Sequence, residues 1–411
     1  MSKFWIGAAI TFALLSAPAA AQTPSKYERL AEALWSQVND NYYDPYFRGT
    51  DWVAVRTRYM PRAASIQTDA QFLTFANQML SEIHSSHLHI SAPSRVGPAG
   101  IGAVIESAAG DDVFNDVAPL SDAYAQGVRV GDRLLSDPAA LRGELGSSAT
   151  FQVQHCDGRR QSITARRERA FWPPEHPGIS WQRITTQNGR SVGYIRATRF
   201  DDGAAALEDE AMAELGDTQA LIIDVRNNSG GNVSALRLAS YFGAHARPAV
   251  ILLARPYLAA LGHSVTPADI AAVPHVSGVY TTEGVFNAVN ANRGGVGFWT
   301  EDVTPQYTRP VFILIDKNTG SAAEGFAWFM RDHTNAHLIG RTTQGALLSS
   351  ESFDLGDGWG VTLPVHGLWG EDGVDYGDRA VPPHETVALT RADLCAGRDP
   401  DLAAAFAAIG R

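Results

Sequence analysis

Residues 311–331 run VFILIDKNTG and then SAAEGFAWFMR: an apolar stretch, a Gly-Ser hinge, and a helix-period segment that opens on Ser321. A serine between a strand end and a helix start is well placed to act as a nucleophile. The turn holds its hydroxyl, and the helix N-terminus offers free N–H groups and partial positive charge to an oxyanion formed there. Taken alone, the position also suits a plain N-cap, the commonest use of serine there. A second candidate is LIIDVRNNSGGN at 221–232, a strand running into Gly230-Gly231. Glycines at such a turn let backbone approach a ligand closely and accept positive φ, which is how N–H groups are presented to a site.

Three histidines crowd into His84-Ser-Ser-His87-Leu-His89. The spacing His-x2-His-x-His could be read as zinc ligands, and a zinc hydrolase is one alternative. No cysteine or suitably placed carboxylate accompanies it, however, and structural zinc wants a fourth ligand nearby. No metal and no cofactor are expected.

These groups need elements to carry them. The short, β-branched run at 311–315 predicts a buried strand, while Ala322, Ala323, Phe326, Ala327, Phe329 and Met330 recur at helical spacing. Residues 178–411 alternate strand-like and helical stretches, the pattern of an α/β domain. Further strands are predicted at 191–195, 220–225, 249–253 and 360–365, and helices at 204–215, 233–242, 321–331 and 401–409. Residues 256–308 have no clear period and are expected to form a functional or mobile insertion. Residues 26–94 are helical in texture, with apolar stripes through Leu30, Leu34, Trp35 and Val38 and through Phe72, Phe75, Ala76, Met79, Leu80 and Ile83. Turn-rich Asn41–Pro45 and Arg48–Trp52 separate them, and a short strand at 88–92 follows. Residues 97–170 are β-rich, with strands at 113–117 and 150–155 and a small helix at 121–128 stopped by Gly127.

Apolar residues make up 45% of the 411 and charged residues 19%, so the chain can bury a core. A formal charge of −11 argues against nucleic acid or anionic lipid as partner, since either calls for a basic patch. Residues 1–21 read as a cleavable secretory leader: Lys3, an apolar segment at 4–15, then Ala19-Ala20-Ala21 before Gln22. That segment is too short to span a bilayer, and no later one offers eighteen apolar residues in a row. A periplasmic or secreted protein without membrane insertion is expected. About 390 residues then remain, enough for two or three domains. In oxidising surroundings Cys156 and Cys395 either pair or stay as buried thiols.

The 97–170 stretch resembles a PDZ domain, with Gly100-Ile101-Gly102-Ala103 where that family's carboxylate-binding loop lies. Gly127 and Gly131-Asp132 fall where that family has them. The resemblance implies that a peptide terminus is held at Gly100, Ile101, Gly102 and Ala103, with the peptide added to the adjacent strand edge. Asp224-Val-Arg-Asn-Asn-Ser-Gly-Gly231, together with Ser321-Ala-Ala-Glu324, resembles the tail-specific (C-terminal processing) proteases and their tricorn-core relatives. Val192-Gly-Tyr-Ile-Arg196, Leu338-Ile-Gly-Arg-Thr-Thr343 and Gly397-Arg-Asp-Pro-Asp-Leu402 extend the likeness in the same order. The implied architecture is an α/β catalytic core, a crotonase/ClpP-like sandwich, at 178–411. An N-terminal helical region and the small PDZ-like domain precede it.

Lysine-type members place a catalytic Lys after Thr-x-Gly; here Thr343-Gln-Gly-Ala346 has alanine, so no Ser–Lys dyad can form there. The tricorn-like branch uses a His preceded by Ser, and Ser86-His87 matches it. Neutral imidazole, with an ordinary pKa near 6.5, can take a serine proton at neutral pH. That branch's supporting Glu falls on Gly377, so either Asp378 beside it takes over the orienting role or that member is absent. The branch's following glycine and aspartate are Ala380 and His384 here. The resemblance therefore implies a Ser321 nucleophile, a His87 base oriented by Ser86 and Asp378, and an oxyanion hole from Ala322 with Gly230 or Gly231. Glu324 is left structural, and the implied substrate is a polypeptide or peptide. A non-catalytic peptide- or apolar-ligand-binding relative is the other alternative, because the Lys and the Glu are both missing.

Overall fold

The computed structural model describes residues 23–93, 98–168, 178–243 and 245–410. The leader expected at 1–21 lies outside them. Val311–Ile315 is buried at every position, and its side chains alternate between two cores. Val311, Ile313 and Ile315 share a core with Phe326, Ala327 and Met330, whereas Phe312 and Leu314 pack with Ala405 and Ile409. Such alternation between two apolar faces marks a central strand of a sheet covered on both sides. The sheet runs Glu385–Thr386, His337–Gly340, Val311–Ile315, Ala220–Asp224, Ser191–Ala197, Ile179–Thr185, parallel except for the last pair. Helices Ala204–Leu215 and Ala322–His333 cover one face and Pro400–Gly410 the other.

A second sheet runs His89–Ser91, Trp359–Trp369, Pro248–Ala254, Gly295–Trp299, His275–Val276, with Ser349–Gly356 paired to Trp359–Trp369. Ile251, Leu253, Val361 and Leu363 face the N-terminal helices Lys26–Asn41, Trp52–Ala63 and Asp69–Leu80. Val250, Leu252, Val296 and Phe298 face the opposite way, packing with Leu236 and Leu347. Trp328, on the helix that follows Ser321, touches both this core and the one under the first sheet. The helix is thus held between two sheets.

Ala103–Ala108, Asp111–Val117, Arg133–Leu134, Ser148–Gln154 and Arg160–Arg166 form a five-stranded antiparallel sheet. It has its own core around Phe114, Val128, Phe151 and Ile163. The Cys156–Cys395 disulfide ties it to the helix Arg391–Cys395. Arg391 adds hydrogen bonds to the carbonyls of Gly131, Gln154 and His155 at 3.0, 2.9 and 2.7 Å.

Two expectations need correction, and one helix escapes the sequence pattern. Residues 256–308 are no aperiodic loop: they hold helices Arg255–Leu261, Pro267–Ala271 and Thr282–Ala291 and the inner strand Gly295–Trp299, and Thr282, Val285 and Phe286 line a cavity. Each element is too short to show a period, and side-chain caps at Thr266 and Thr281 start two of the helices. The helix Trp52–Ala63 is absent from the reading because its apolar face is sparse; Asp51 caps it. The helix expected at 233–242 shortens to Ala235–Ala239, with turns on both sides.

Candidate active site

Ser321 stands at the N-cap of Ala322–His333, with φ 50° and ψ −125°. Positive φ in a residue with a Cβ is strained, and surrounding structure must hold it. It does. Thr319 donates to Val225 O at 2.9 Å, Gly320 N–H to Asn228 O at 2.9 Å, and Ser321 N–H to Ala346 O at 3.0 Å. A Cβ on Gly320 would lie 2.4 Å from Gln344 Oε1, so any side chain there would have to displace the Gln344 amide.

Glu324 organises this turn from inside. Fully buried, its carboxylate accepts from Thr343 Oγ1 at 2.5 Å, Gly345 N–H at 2.6 Å, Ala346 N–H at 2.8 Å and Ser321 N–H at 3.1 Å. Burial pushes its pKa up, and these donors pull against that shift. Sequence reading left Glu324 structural, and it stitches the 343–346 segment to the Ser321 backbone. Ala346, the last residue of Thr343-Gln-Gly-Ala346, meets Ser321 through its carbonyl, which accepts the Ser321 N–H at 3.0 Å.

His87 arrives on the loop between Asp69–Leu80 and His89–Ser91, also at positive φ, 62°. Ser86 Oγ lies 3.0 Å from His87 Nδ1. With Nδ1 donating to that oxygen, Nε2 keeps its lone pair for a proton. Burial lowers the His87 pKa below its ordinary 6.5, with Asp378 opposing and His89 assisting. Asp378 reaches this loop through the main chain: Oδ1 accepts Ser86 N–H at 2.8 Å, and Oδ2 accepts from Ser85 Oγ at 3.4 Å. Arg48, which sequence reading missed, pairs with both Asp378 and Asp375 and donates to His84 O at 3.1 Å. Its only sequence signal was a place in the turn-rich stretch Arg48–Trp52.

The glycines divide their roles. Gly230 N–H is already used, donating to Asn228 Oδ1 at 2.8 Å, so the expectation that it donates to an oxyanion fails. Gly230 instead gives clearance, since a Cβ there would sit 2.5 Å from Ser321 Cβ. Gly231, at φ 142°, comes so close to Phe200 O that an added Cβ would lie 1.7 Å away. No acceptor is described for the N–H groups of Gly231 and Ala322, and both residues line the cavity that Ser321 opens on.

That cavity, of about 240 Å³, brings His87 and Ser321 together, two residues far apart in the chain. Gly100, Ile101, Gly102 and Ala103 lie elsewhere, in a separate groove of about 490 Å³ along the edge strand Ala103–Ala108. Asn318, three residues before Ser321, closes one side of that groove and donates to Asn227 Oδ1 at 2.9 Å. His84 and His89 are exposed, and among the described residues no group of three or more His, Cys, Asp or Glu could hold a metal ion.

A charged network begins at Asp224, the last residue of the strand Ala220–Asp224. Burial alone would raise Asp224, but Arg226 and Arg196 hold it well below the ordinary carboxylate range. Arg226 continues to Asp401, which Arg341 links to Glu106 on the five-stranded sheet.

Comparison with known proteins places this geometry. Residues 191–387 match Peptidase family S41, and residues 26–81 match the Tricorn protease C1 domain. The carboxyl-terminal-processing protease of Synechocystis sp. is 24% identical over 397 residues, spanning 88% of this chain and 82% of its own. The chloroplastic C-terminal processing peptidase of Tetradesmus obliquus is 24% identical over 405 residues, with 88% and 78% covered. Among solved structures, mature CPAF complexed with lactacystin aligns with a TM-score of 0.61 at 15% identity, covering 90% of this chain and 95% of that one. The photosystem II D1 C-terminal processing protease aligns with a TM-score of 0.58 at 20% identity, covering 94% and 98%. These likenesses bear out a mixed α/β fold with N-terminal helices and several sheets. The chain belongs to peptidase family S41 and is a serine-type peptidase, related to the C-terminal processing proteases and to tricorn.

Proposed function

We propose that this protein is an exported endopeptidase that cleaves unfolded or C-terminally recognised polypeptides with a Ser321–His87 pair. The observation that carries this is the single cavity lined by His87, Ser321, Gly231 and Ala322, the last two with N–H groups that find no acceptor among the described residues. His87 takes the Ser321 proton, and the serine oxygen attacks a peptide carbonyl. The oxyanion is held by Ala322 and Gly231 N–H groups, and the imidazolium then gives its proton to the leaving amine. Water repeats the sequence to release the acyl group. Ser86 fixes the ring from Nδ1, and Asp378 fixes Ser86.

On this reading, 26–94 is a helical region that brings the base, 97–170 a PDZ-like domain and 178–411 a crotonase-like peptidase core. The groove at Gly100–Ala103 takes the substrate terminus, the free edge of Ala103–Ala108 adding the peptide as a strand. The Cys156–Cys395 disulfide supports an oxidising compartment, in keeping with a leader at 1–21.

One experiment tests nucleophile and terminus recognition together. A peptide with a free or amidated C-terminus is digested by wild type and by Ser321→Ala, with fluorophosphonate labelling in parallel. Labelling and turnover by wild type alone, faster for the free terminus, are expected. Equal labelling of both proteins would remove Ser321 from the mechanism.

A further inference from the structure

The cavity at Ser321 extends beyond the catalytic groups, and its walls are mostly apolar, with Asn232, Thr282, Ser349 and Ser350 as polar exceptions beside His87 and Ser321. Val250, Leu252, Val285, Phe286, Leu347 and Leu368 line it, and no residue with a fixed charge does. Most of these belong to the core between the nucleophile helix and the second sheet. Phe286 is different. Half-buried, it lies outside the described apolar clusters, although its helix neighbours Val285 and Val289 lie inside one. Its ring packs at 5.9 Å against that of His366 and lines the cavity at the edge of this core.

Why the cavity exists is answered by Gly325. It lies four residues after Ser321, on the same helix face, and its N–H donates to Ser321 O at 3.1 Å. A Cβ built there would meet only Leu347 Cδ1 at 3.5 Å and Val250 Cγ2 at 3.8 Å, ordinary contacts. Neither positive φ nor a backbone clash therefore calls for this glycine, unlike Gly230 or Gly231. In a helix interior it is also the poorer choice beside alanine. What its bare Cα provides is room.

We infer that Gly325 and Phe286 form a specificity pocket for a large apolar side chain on the residue that donates the scissile carbonyl. The inference rests on the Ser321 reading. With the carbonyl carbon at Ser321 Oγ and its oxygen toward Ala322 N–H, the adjacent side chain has this cavity to enter. About 150 Å³ suffices for a benzene ring in an apolar cavity, so about 240 Å³ takes phenyl or a long aliphatic chain. Carboxylate and ammonium side chains are disfavoured, because no counter-charge lines the walls.

The test uses peptides differing only at that residue (Phe, Leu, Ala, Asp or Lys). Wild type should show kcat/KM for Phe or Leu about tenfold or more above that for Ala, Asp or Lys. Gly325→Val should cut the Phe-to-Ala ratio about tenfold, and Phe286→Ala should shift the optimum toward bulkier residues. Gly325→Ala, a favourable helix substitution, gives a smaller shift in the same direction and serves if the valine variant does not fold. A ratio unmoved by these variants, or a preference for Asp or Lys, overturns the pocket. Anisotropy with the same peptides on Ser321→Ala protein reads the pocket without turnover. If wild type cleaves nothing, the Ser321 reading fails, and this ranking alone decides. A size order flattened by Gly325→Val upholds the pocket, and equal affinities reject it.

Discussion

The Asp378 carboxylate accepts the backbone N–H of Ser86 at 2.8 Å, one residue before His87. Asp378 therefore places the imidazole through the main chain and through its field, while Ser86 Oγ contacts the ring. Asp378→Ala should lower kcat/KM about 10–100-fold, because misplacing a base by about 1 Å costs that much. Asp378→Asn keeps an oxygen for Ser86 N–H and should retain most of the rate. Steady-state kinetics on both variants, with unchanged Ser321 labelling by a reactive probe as the fold control, decide it.

The acid limb of activity should lie below pH 6.5. Burial lowers the His87 pKa, so the neutral, proton-accepting form persists into mild acid and is lost only as pH falls through the depressed value. Asp378 acts in the opposite direction, raising that pKa. Asp378→Asn should consequently move the limb further toward acid. A pH profile of kcat/KM that bends above 6.5 in wild type, or an alkaline displacement in the variant, contradicts the assignment of His87 as base.

Glu324→Ala should destabilise the protein and slow catalysis together. It strands Thr343 Oγ1 and the N–H groups of Gly345 and Ala346 without their shared acceptor, while Ser321 N–H keeps Ala346 O. A buried donor left unpaired costs about 1–3 kcal/mol, so the total loss should be at least about 3 kcal/mol. Glu324→Gln keeps one acceptor oxygen and should recover part of both. Denaturant unfolding alongside kcat measures the two effects separately, and an unchanged kcat in the alanine variant would show that the Ser321 turn holds itself.

Reduction of the Cys156–Cys395 bond should lower stability by about 2–5 kcal/mol, since it releases a link across 239 residues of sequence. Cys156→Ser should reproduce the effect of reductant, and reductant should then add nothing. Thermal unfolding of both proteins with and without dithiothreitol reads this directly.

Much of the site was legible because its signals are local. A β-branched run at 311–315, a hinge and a helix-period stretch place Ser321 between Val311–Ile315 and Ala322–His333, as observed. The helix expected at 204–215 matches Ala204–Leu215, since its boundaries are set within its own sequence. Elements whose burial depends on a distant sheet were not legible. Gly295–Trp299 is an inner strand only because Pro248–Ala254 and His275–Val276 flank it, and nothing in its five residues announces that. Arg48 was invisible for the same reason, its partners Asp375 and Asp378 being more than three hundred residues away.

From residue order alone come the family, the strand-to-helix serine, the glycine turn and the alanine that excludes a lysine base. Each is a matter of chemical type at short spacing. Folding decides the rest. It spends the Gly230 N–H on Asn228, sets Gly231 and Ala322 along the cavity, turns Glu324 into the clamp of the Ser321 turn, and brings His87 to the same cavity. Those outcomes depend on which groups approach within about 3 Å, a distance that spacing along a chain does not encode once tens of residues intervene.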